Sequence, residues 1–292
     1  MTNVSQTVST QPASKYVSPG ASRWLLDVFH YRHLLSLLLK KGTTTRYYGS
    51  VLGWAWSYVR PAAQFLMYFV MIGLVLKVDR GINMYPLYLF SGIVLLNFFT
   101  EATKAATNSI TGNAALVKKI YLPRELFPVA AVGSAFIHFL PQVLLLFVVC
   151  LIAGWSFAWT SLLAFTVAII IVVMFTLGLG LFFGAVNVAY RDAKNIIDVA
   201  LMFSIWMSPV LYTHEMMRDL IPAWLYNIYM VNHMSVSVEL FHHAFWGQVV
   251  TDTRMPDYML TNTLAGIGIA LGTLLIGQVV FRRLEGNFAQ DL

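Results

Sequence analysis

AFTVAIIIVVMFTLGLGLFFGAV, residues 164–186, runs without a single charged side chain. A helix of about 20 apolar residues crosses a hydrocarbon core about 30 Å thick. A strand of an outer-membrane barrel would instead alternate apolar and polar positions over about 10 residues. Because this stretch is apolar on every face, it predicts a transmembrane helix.

The rest of the chain has the composition of an integral membrane protein. Of its 292 residues, 58% are hydrophobic and only 11% are charged, and the mean hydropathy is +0.69, whereas about a quarter of a soluble domain is charged. The predicted spans, of which the fifth is interrupted, are Tyr58 to Leu76, Pro86 to Ala106, Phe127 to Ala153, Leu162 to Val188, Ala200 to Tyr212 and Leu260 to Phe281. We therefore predict an all-α membrane protein with about six transmembrane helices.

Two shorter regions precede the first span. Residues 1–25 are rich in Ser and Thr and lack the apolar core of a signal peptide, so they predict a disordered cytoplasmic tail. Within residues 26–57, FHYRHLLSLLLKK (residues 29–41) is too short to span and combines leucines with basic residues. It favours an amphipathic helix in the membrane interface, with an ordinary packing helix as the alternative. Residues 58–292 are predicted to form the transmembrane domain.

The basic residues predict the orientation. With an internal N-terminus and six spans, fourteen of the nineteen Lys and Arg residues fall in loops on one side and four on the other. Lys and Arg accumulate in cytoplasmic loops, so both termini are predicted to be cytoplasmic. The net charge of +6 reflects this asymmetry. Because the basic residues are dispersed over loops, nucleic-acid binding is not predicted.

Motifs for catalysis or metal binding are absent from the sequence. Cys150 is the single cysteine, so neither a disulfide framework nor a thiolate cluster is expected. The adjacent His242 and His243 are interpreted as polar residues of an extracytoplasmic loop, and no metal site is predicted. The sequence has no phosphate-binding loop, no Gly-x-Ser-x-Gly and no His-Glu-x-x-His. We therefore predict no catalytic residue and no cofactor in this chain, and any energy source must be a separate protein.

A basic segment separates the second and third spans. It reads LVKKIYLPRELFP, residues 116–128, on the predicted cytoplasmic side. Its basic side chains can form charge-assisted contacts with carboxylates of a partner, and the Ile-Tyr-Leu sequence supplies an apolar anchor. The alternative is that the basic residues only follow the charge bias of cytoplasmic loops. The segment predicts a docking site for a cytoplasmic partner.

Charged residues also occur at two other places near this side. Glu101 and Lys104 are three residues apart on a predicted helix and are expected to face one another, which lowers the cost of charges in a bilayer. The loop after the fourth span carries four charged residues that are expected to form local salt bridges, namely Arg191, Asp192, Lys194 and Asp198. Exposed pairs of this kind contribute under about 1 kcal/mol each.

Glycine spacing and proline positions add two expectations about packing. The pairs Gly180/Gly184 and Gly268/Gly272 have the spacing that allows helices to approach closely. Residues 207–248 contain Pro209 and Pro222 and are too interrupted for one span. Irregular backbone at membrane depth is tolerated only where it is buried in protein or lines a cavity, which favours short re-entrant helices before the last span.

Ordered blocks of this chain resemble the permease subunit of type-2 ABC exporters, in the Wzm and TagG group that exports O-antigen, galactan and teichoic acid polymers. They cover nearly everything after about residue 25 and comprise RYYGSVLGWAWSYVRPAAQ (46–64), LYLFSGIVLLNFF (87–99), LVKKIYLPRELFPV (116–129), VNVAYRDAKNIID (186–198), MSPVLY (207–212) and FRRLEGNFAQDL (281–292). The chain departs from the family pattern at Asn232-His233, where Asn-Pro is usual, and at Leu96-Asn97, where a Trp is usual. The first departure bears on the loop geometry before the last span.

The resemblance implies that a helix at about residues 112–125 couples the permease to a cytoplasmic ABC ATPase, present in two copies, which binds ATP and Mg. The implied coupling residues are Leu116, Val117, Lys118, Lys119, Ile120, Tyr121, Leu122, Pro123, Arg124 and Glu125. Arg191 and Asp192 in the next cytoplasmic loop are a second candidate contact.

The resemblance also implies a homodimer in the bacterial inner membrane that exports a polyprenyl-linked glycan to the extracytoplasmic side. Arg46, Tyr47 and Tyr48 are then expected at the substrate entrance, and residues 207–248 at a gate. The aromatic residues expected to line the channel, where sugar rings can stack, are Tyr58, Phe65, Tyr68, Phe203, Trp206 and Tyr212. A type-2 permease for a drug or small lipid would share this fold, and a non-ABC lipid-glycan flippase is a further alternative.

Overall fold

The computed structural model describes residues 30–45, 49–119, 122–250 and 256–292, together with Leu25 and Val28. The predicted cytoplasmic tail at residues 1–25 lies outside these residues except for Leu25. Within the described part the regular structure is entirely helical, which confirms the all-α class. The α-helices are α1 (Arg32–Thr45), α2 (Trp56–Tyr68), α3 (Tyr85–Thr107), α4 (Ala114–Lys119), α5 (Leu126–Ile152), α6 (Trp159–Ala189), α7 (Ala193–Phe203), α8 (His214–Leu220), α9 (Ala223–Val231), α10 (His233–Ala244), α11 (Met259–Leu284) and α12 (Phe288–Asp291).

Five helical stretches in the described residues are long and apolar enough to cross a membrane. They are Gly53–Val75, Tyr85–Thr107, Leu126–Ile152, Trp159–Ala189 and Met259–Asn287. The first contains α2 and continues as a π-helical segment, Phe69–Val75. It begins before Tyr58, so the boundary predicted between residues 57 and 58 falls inside α2. The fifth predicted stretch, Ala200 to Tyr212, is not one helix, because α7 ends at Phe203 and turns follow.

The segment from α7 to Tyr212 nevertheless runs from one end of α3 to the other. Asp198 on α7 lies 3.1 Å from Nζ of Lys104, near the C-terminal end of α3. At the opposite end of α3, the Tyr88 hydroxyl donates to the carbonyl oxygens of Pro209 and Tyr212, at 2.7 and 2.9 Å. These bonds satisfy backbone groups that no helix satisfies. The fifth predicted crossing is therefore a broken one.

Helices α9 and α10 form a re-entrant hairpin. At its tip, His233 stacks on Phe175 with ring centroids 3.3 Å apart and lies 5.7 Å from Phe99, near the middle of α6 and α3. At the other end of α10, the carbonyl oxygen of Ala244 accepts a 3.0 Å hydrogen bond from Nε1 of Trp155, in the loop between α5 and α6. The hairpin thus enters about half of the bundle and returns to the same side. This confirms the short re-entrant helices expected before the last span.

The departure at Asn232-His233 does not disturb this hairpin. The Asn232 side chain caps α10 by accepting from the backbone N–H of Met234 at 3.3 Å, as asparagine does at helix N-termini. His233 then occupies the first helical position, where proline is common because that N–H needs no partner within the helix. The start of the helix is therefore capped, and the imidazole of His233 stacks on Phe175.

Close glycine contacts hold the bundle together. A Cβ on Gly178 of α6 would lie 2.6 Å from the backbone nitrogen of Leu274, and one on Gly277 of α11 would overlap the backbone of Gly178. Gly180 packs directly on Ala106 of α3, as its spacing predicted, but a Cβ on Gly272 would meet open space. The decisive contact between α6 and α11 therefore uses a glycine pair that the spacing did not indicate.

Candidate functional site

The predicted coupling residues lie in a segment that is only partly helical. A 3-10 turn, Thr111–Asn113, leads into α4, which ends at Lys119. Leu122 and Pro123 have no regular structure, and α5 begins at Leu126. Ile120 and Tyr121 lie outside the described residues. The helix predicted at about 112–125 is therefore shorter than expected, because Pro123 removes a backbone donor and re-aims the chain into α5.

The two faces of α4 have different surroundings. Val117 is 6% exposed and packs in an apolar cluster with Phe127, Phe281 and other residues, against which Leu116 and Leu122 also pack. Lys118 and Lys119 are exposed. The apolar residues therefore fix α4 to the bundle, while the two ammonium groups face outward at the end of the helix, where positive charge complements the helix dipole.

Arg124 contacts its own chain. Its guanidinium lies 5.5 Å from the ring centroid of Phe288, which is 1% exposed and packs edge-on against Phe281 at 5.4 Å. A guanidinium over an aromatic face is attracted by the ring quadrupole. Arg124 is half-buried, and its contact with Phe288 ties the coupling segment to α12; its predicted contact with an ATPase stays a prediction.

Glu125 is also directed into the protein. It is fully buried, and its Oε1 accepts a 3.2 Å hydrogen bond from Nε2 of Gln278 on α11. Glu125 immediately precedes α5, where a carboxylate is stabilised by the helix dipole. It therefore links α5 to α11 and does not contribute to an exposed surface. The role of Gln278 and Phe288 was missed by sequence reasoning, although the block at residues 281–292 was recognised.

The loop after α6 places its charged residues differently from the prediction. Arg191 and Asp192 are exposed in the turn between α6 and α7, on the same side as α4. Asp198, expected to fix this loop locally, instead forms the 3.1 Å salt bridge to Lys104 of α3. Lys104 was expected to pair with Glu101. The observed salt bridge between Lys104 and Asp198 links α3 to α7.

The part of the chain that precedes the predicted entrance is α1. Arg46, Tyr47 and Tyr48 lie outside the described residues. Helix α1 packs on α5 where Gly42 meets Ser134 and where Leu39 meets Gly133, and its Lys41 donates to Oδ1 of Asn113 at 2.8 Å. The helix is amphipathic, and no residue of it is buried. A cavity of about 510 Å³ lies between α1, α3 and α5.

The predicted channel aromatics fall into two groups. Tyr58 of α2, together with Phe203 and Trp206, is exposed, at 40%, 58% and 52% respectively. Phe65 packs edge-on against Phe90 of α3 at 5.5 Å, and Tyr68 is half-buried. The hydroxyl of the half-buried Tyr212 donates to the carbonyl oxygen of Trp206. The structure therefore brings these residues to the α2 and α7 side of the bundle without joining them in one cluster.

A polar network lies at the end of the bundle opposite to α4. Nδ1 of His214 on α8 lies 3.4 Å from Oε1 of Glu239 on α10. Burial by itself lowers the pKa of His214, but the hydrogen bond and charge of Glu239, with Glu215 and Asp257 nearby, outweigh it and raise the pKa above its ordinary value. A cavity of about 110 Å³ adjoins this pair.

The predicted loop histidines, His242 and His243, lie in a helix. His242 is 1% exposed, and its Nε2 lies 3.1 Å from the carbonyl oxygen of Tyr88. The interpretation of His242 and His243 as loop residues is therefore wrong, since both belong to α10. His214 and Glu239 were not singled out from the sequence, because residues 25 positions apart give no local pattern.

The long apolar helices and the broken crossing define a multi-pass membrane protein. Sequence comparison specifies it further, since the description "ABC-2 type transporter" matches residues 33–246. The chain belongs to the ABC-2 type transporter family and is a permease, in agreement with the resemblance stated above.

Curated relatives align over most of the chain. The O-antigen export system permease protein RfbA of Myxococcus xanthus is 25% identical over 92% of this chain and 99% of its own length. The protein of the same name from Klebsiella pneumoniae is 25% identical over 89% of this chain and 95% of its own length. The polysialic acid transport protein KpsM of Escherichia coli is 21% identical over 82% of this chain and 89% of its own length.

Proposed function

We propose that this chain is the transmembrane subunit of an ATP-driven exporter that moves a lipid-linked cell-envelope polysaccharide out of the cytoplasm across the bacterial inner membrane. The observation that carries the proposal is the alignment of nearly the whole chain with permeases of O-antigen export. KpsM, a polysialic acid transport protein, aligns over the same region. Polysaccharide is the substrate class that these names share.

The partner in this proposal is an ABC ATPase that binds ATP and Mg, in two copies. The exposed ammonium groups of Lys118 and Lys119 contact carboxylates of the ATPase. The buried side chains behind them carry the movement inward, since Glu125 bonds to α11 through Gln278. A push on α4 therefore reaches α5 and α11 together. Arg191 and Asp192, exposed on the same side, are the second contact.

The proposal includes a homodimer. In the first span only 11% of the most apolar window is buried, and Arg60 lies on this exposed helix. A charged side chain facing lipid is costly, so this surface is expected to face a second copy and a water-filled path between the copies. The exposed Tyr58, Phe203 and Trp206 then line the path, and the α8 to α10 region closes it on the far side.

The coupling part is tested by replacing Lys118 and Lys119 with Ala in the complex of permease and ATPase. We expect membrane insertion to be unchanged and ATPase binding in detergent extracts to be reduced. Polysaccharide at the cell surface should fall at least tenfold. Arg283→Ala is the matched control, because Arg283 is also exposed and basic but lies on α11. Normal export by the double variant would contradict the coupling role of α4.

The substrate part is tested by deleting the chain in its host. Surface polysaccharide is expected to disappear and to accumulate on its lipid carrier inside the cell. Unchanged surface polysaccharide, together with new sensitivity to a hydrophobic drug or a change in membrane lipid, would favour the alternative permease for small lipids or drugs. Membership of the ABC-2 family excludes the non-ABC flippase considered above.

A further inference from the structure

A cavity of about 280 Å³ lies between α2, α3 and α5, and we name it the polar chamber. On α2 its walls are formed by Trp56, Arg60 and Gln64. These residues are spaced by four, so they form one stripe along a helix. A stripe of polar side chains along a membrane span is costly unless it serves a function.

The opposite wall continues the same pattern. Asn97, Thr100, Glu101 and Lys104 of α3 all line the polar chamber, and their spacing of three and four also places them on one helix face. Two membrane spans thus turn their polar stripes toward the same space. Packing alone would fill this space with apolar side chains, as it does elsewhere along α3.

Gln142 of α5 closes the polar chamber. It is 7% exposed, and its Nε2 makes a long 3.4 Å hydrogen bond to the carbonyl oxygen of His138. Its Oε1 is buried, and no partner for it occurs among the residues that the structure describes. A buried acceptor without a donor costs free energy. Gln142 lines the polar chamber, so rotation of its side chain toward the chamber would let a ligand hydroxyl group satisfy this acceptor.

The charges around the polar chamber select the ligand class. Arg60 and Lys104 are balanced by Glu101 in the wall and by Asp198, which is paired with Lys104. A balanced set gives little attraction for a phosphate or another strong anion. Amide side chains, by contrast, both donate and accept, as sugar hydroxyls do. Trp56 adds an aromatic face beside them.

We propose that the polar chamber is a binding subsite for the sugar residues of the transported chain. The proposal rests on the proposed export of a polysaccharide and assigns where the permease holds it. Amides of Gln64, Asn97 and Gln142 bond the sugar hydroxyls, and Trp56 stacks on the ring. Because such contacts are spread over several weak groups, a long polymer can advance one sugar at a time.

The position of the glycan is tested by photo-crosslinking in cells that carry the full permease and ATPase. A benzophenone amino acid replaces Gln64 in one strain and Asn97 in another. Leu144 is the matched control, since it lies two residues beyond Gln142 on α5 and is 64% exposed. We expect a ladder of glycan adducts at Gln64 and Asn97 after illumination, and none at Leu144.

Two results would overturn the subsite. One is the absence of glycan adducts at both positions in cells that export normally, and the other is equal labelling at Leu144. Gln142→Leu gives a second measurement, because it keeps the volume of the side chain and removes the acceptor. We expect export to fall about three- to tenfold at unchanged protein level, and unchanged export would also count against the subsite. Failure of the proposed function would give a different result, because surface polysaccharide would then persist when the chain is deleted.

Discussion

The first two membrane spans are neighbours in opposite surroundings. In the most apolar window of α3, 72% of the residues are buried, whereas in the window of Gly53–Val75 the share is 11%. Both helices have similar length and hydropathy, so composition does not separate them. The difference shows that α3 is enclosed by its own chain, while most of α2 is left uncovered by this chain. Substitutions on the two helices therefore test different surroundings.

The largest effect is expected in the buried span. Leu95 is 0% exposed, and Leu95→Ala removes buried apolar atoms and leaves a cavity, which costs about 2–5 kcal/mol. Thermal unfolding of the purified permease measures it. Leu144→Ala is the control, since Leu144 is 64% exposed. Equal melting temperatures for wild type and Leu95→Ala would mean that α3 is not the core of the bundle.

A smaller effect is expected where α6 meets α3. A Cβ on Gly180 would overlap the side chain of Ala106, so Gly180→Ala forces the helices apart at a cost of about 1–3 kcal/mol. Gly272→Ala is the control, because a Cβ there meets nothing within 4 Å. Unfolding in a denaturant series compares the two, and similar stability would contradict the close contact.

The pair of His214 and Glu239 makes the stability of the folded protein depend on pH. The pKa of His214 is raised in the folded protein, so its contribution to stability is fully present below the unfolded pKa of about 6.5 and is lost as the pH rises through the folded pKa. We expect a lower melting temperature at pH 8.5 than at pH 6. Glu239→Gln should flatten this difference, and a slope that survives in the variant would assign it to other groups.

The smallest effect is expected on α2. Leu66 is 59% exposed, so Leu66→Ala should change the stability of the separated chain by less than about 0.5 kcal/mol. In the intact exporter the same substitution should lower the yield of cross-linked dimer, if a second copy covers this face. An unchanged dimer yield would assign Leu66 to a lipid-facing surface and would move the proposed interface along α2.

Patterns within one helix were predictable from the sequence, and relations between helices were not. The apolar runs gave the long helices, and two prolines indicated the re-entrant region. Gly180 was predicted because Gly184 follows it at the i+4 position of the same helix. Gly178 and Gly277 instead meet across two helices, and no spacing along one helix reveals which residues of the other helix they meet. The interrupted fifth stretch was recognised as apolar, but its path along α3 depends on hydroxyl groups of Tyr85 and Tyr88.

The coupling segment shows the same limit. Its basic residues were found by charge and position, and Lys118 and Lys119 are exposed as expected. Arg124 and Glu125 are charged, as residues of a docking surface often are. In the structure, however, Arg124 contacts Phe288 and Glu125 bonds to Gln278. A charged residue turns inward only when a distant partner satisfies it, and residue types alone do not identify that partner.

The bond between Glu125 and Gln278 spans 153 positions of the sequence, which has a consequence for biosynthesis. Before the C-terminal residues have been made, Val117 and Leu122 cannot pack on Phe281 and Phe288. The Glu125 carboxylate likewise lacks its partner, the side-chain amide of Gln278. Residues 278–292 must leave the ribosome before this segment reaches its final shape. The segment at residues 116–125 therefore completes its packing only after the last span, Met259–Asn287, has been made.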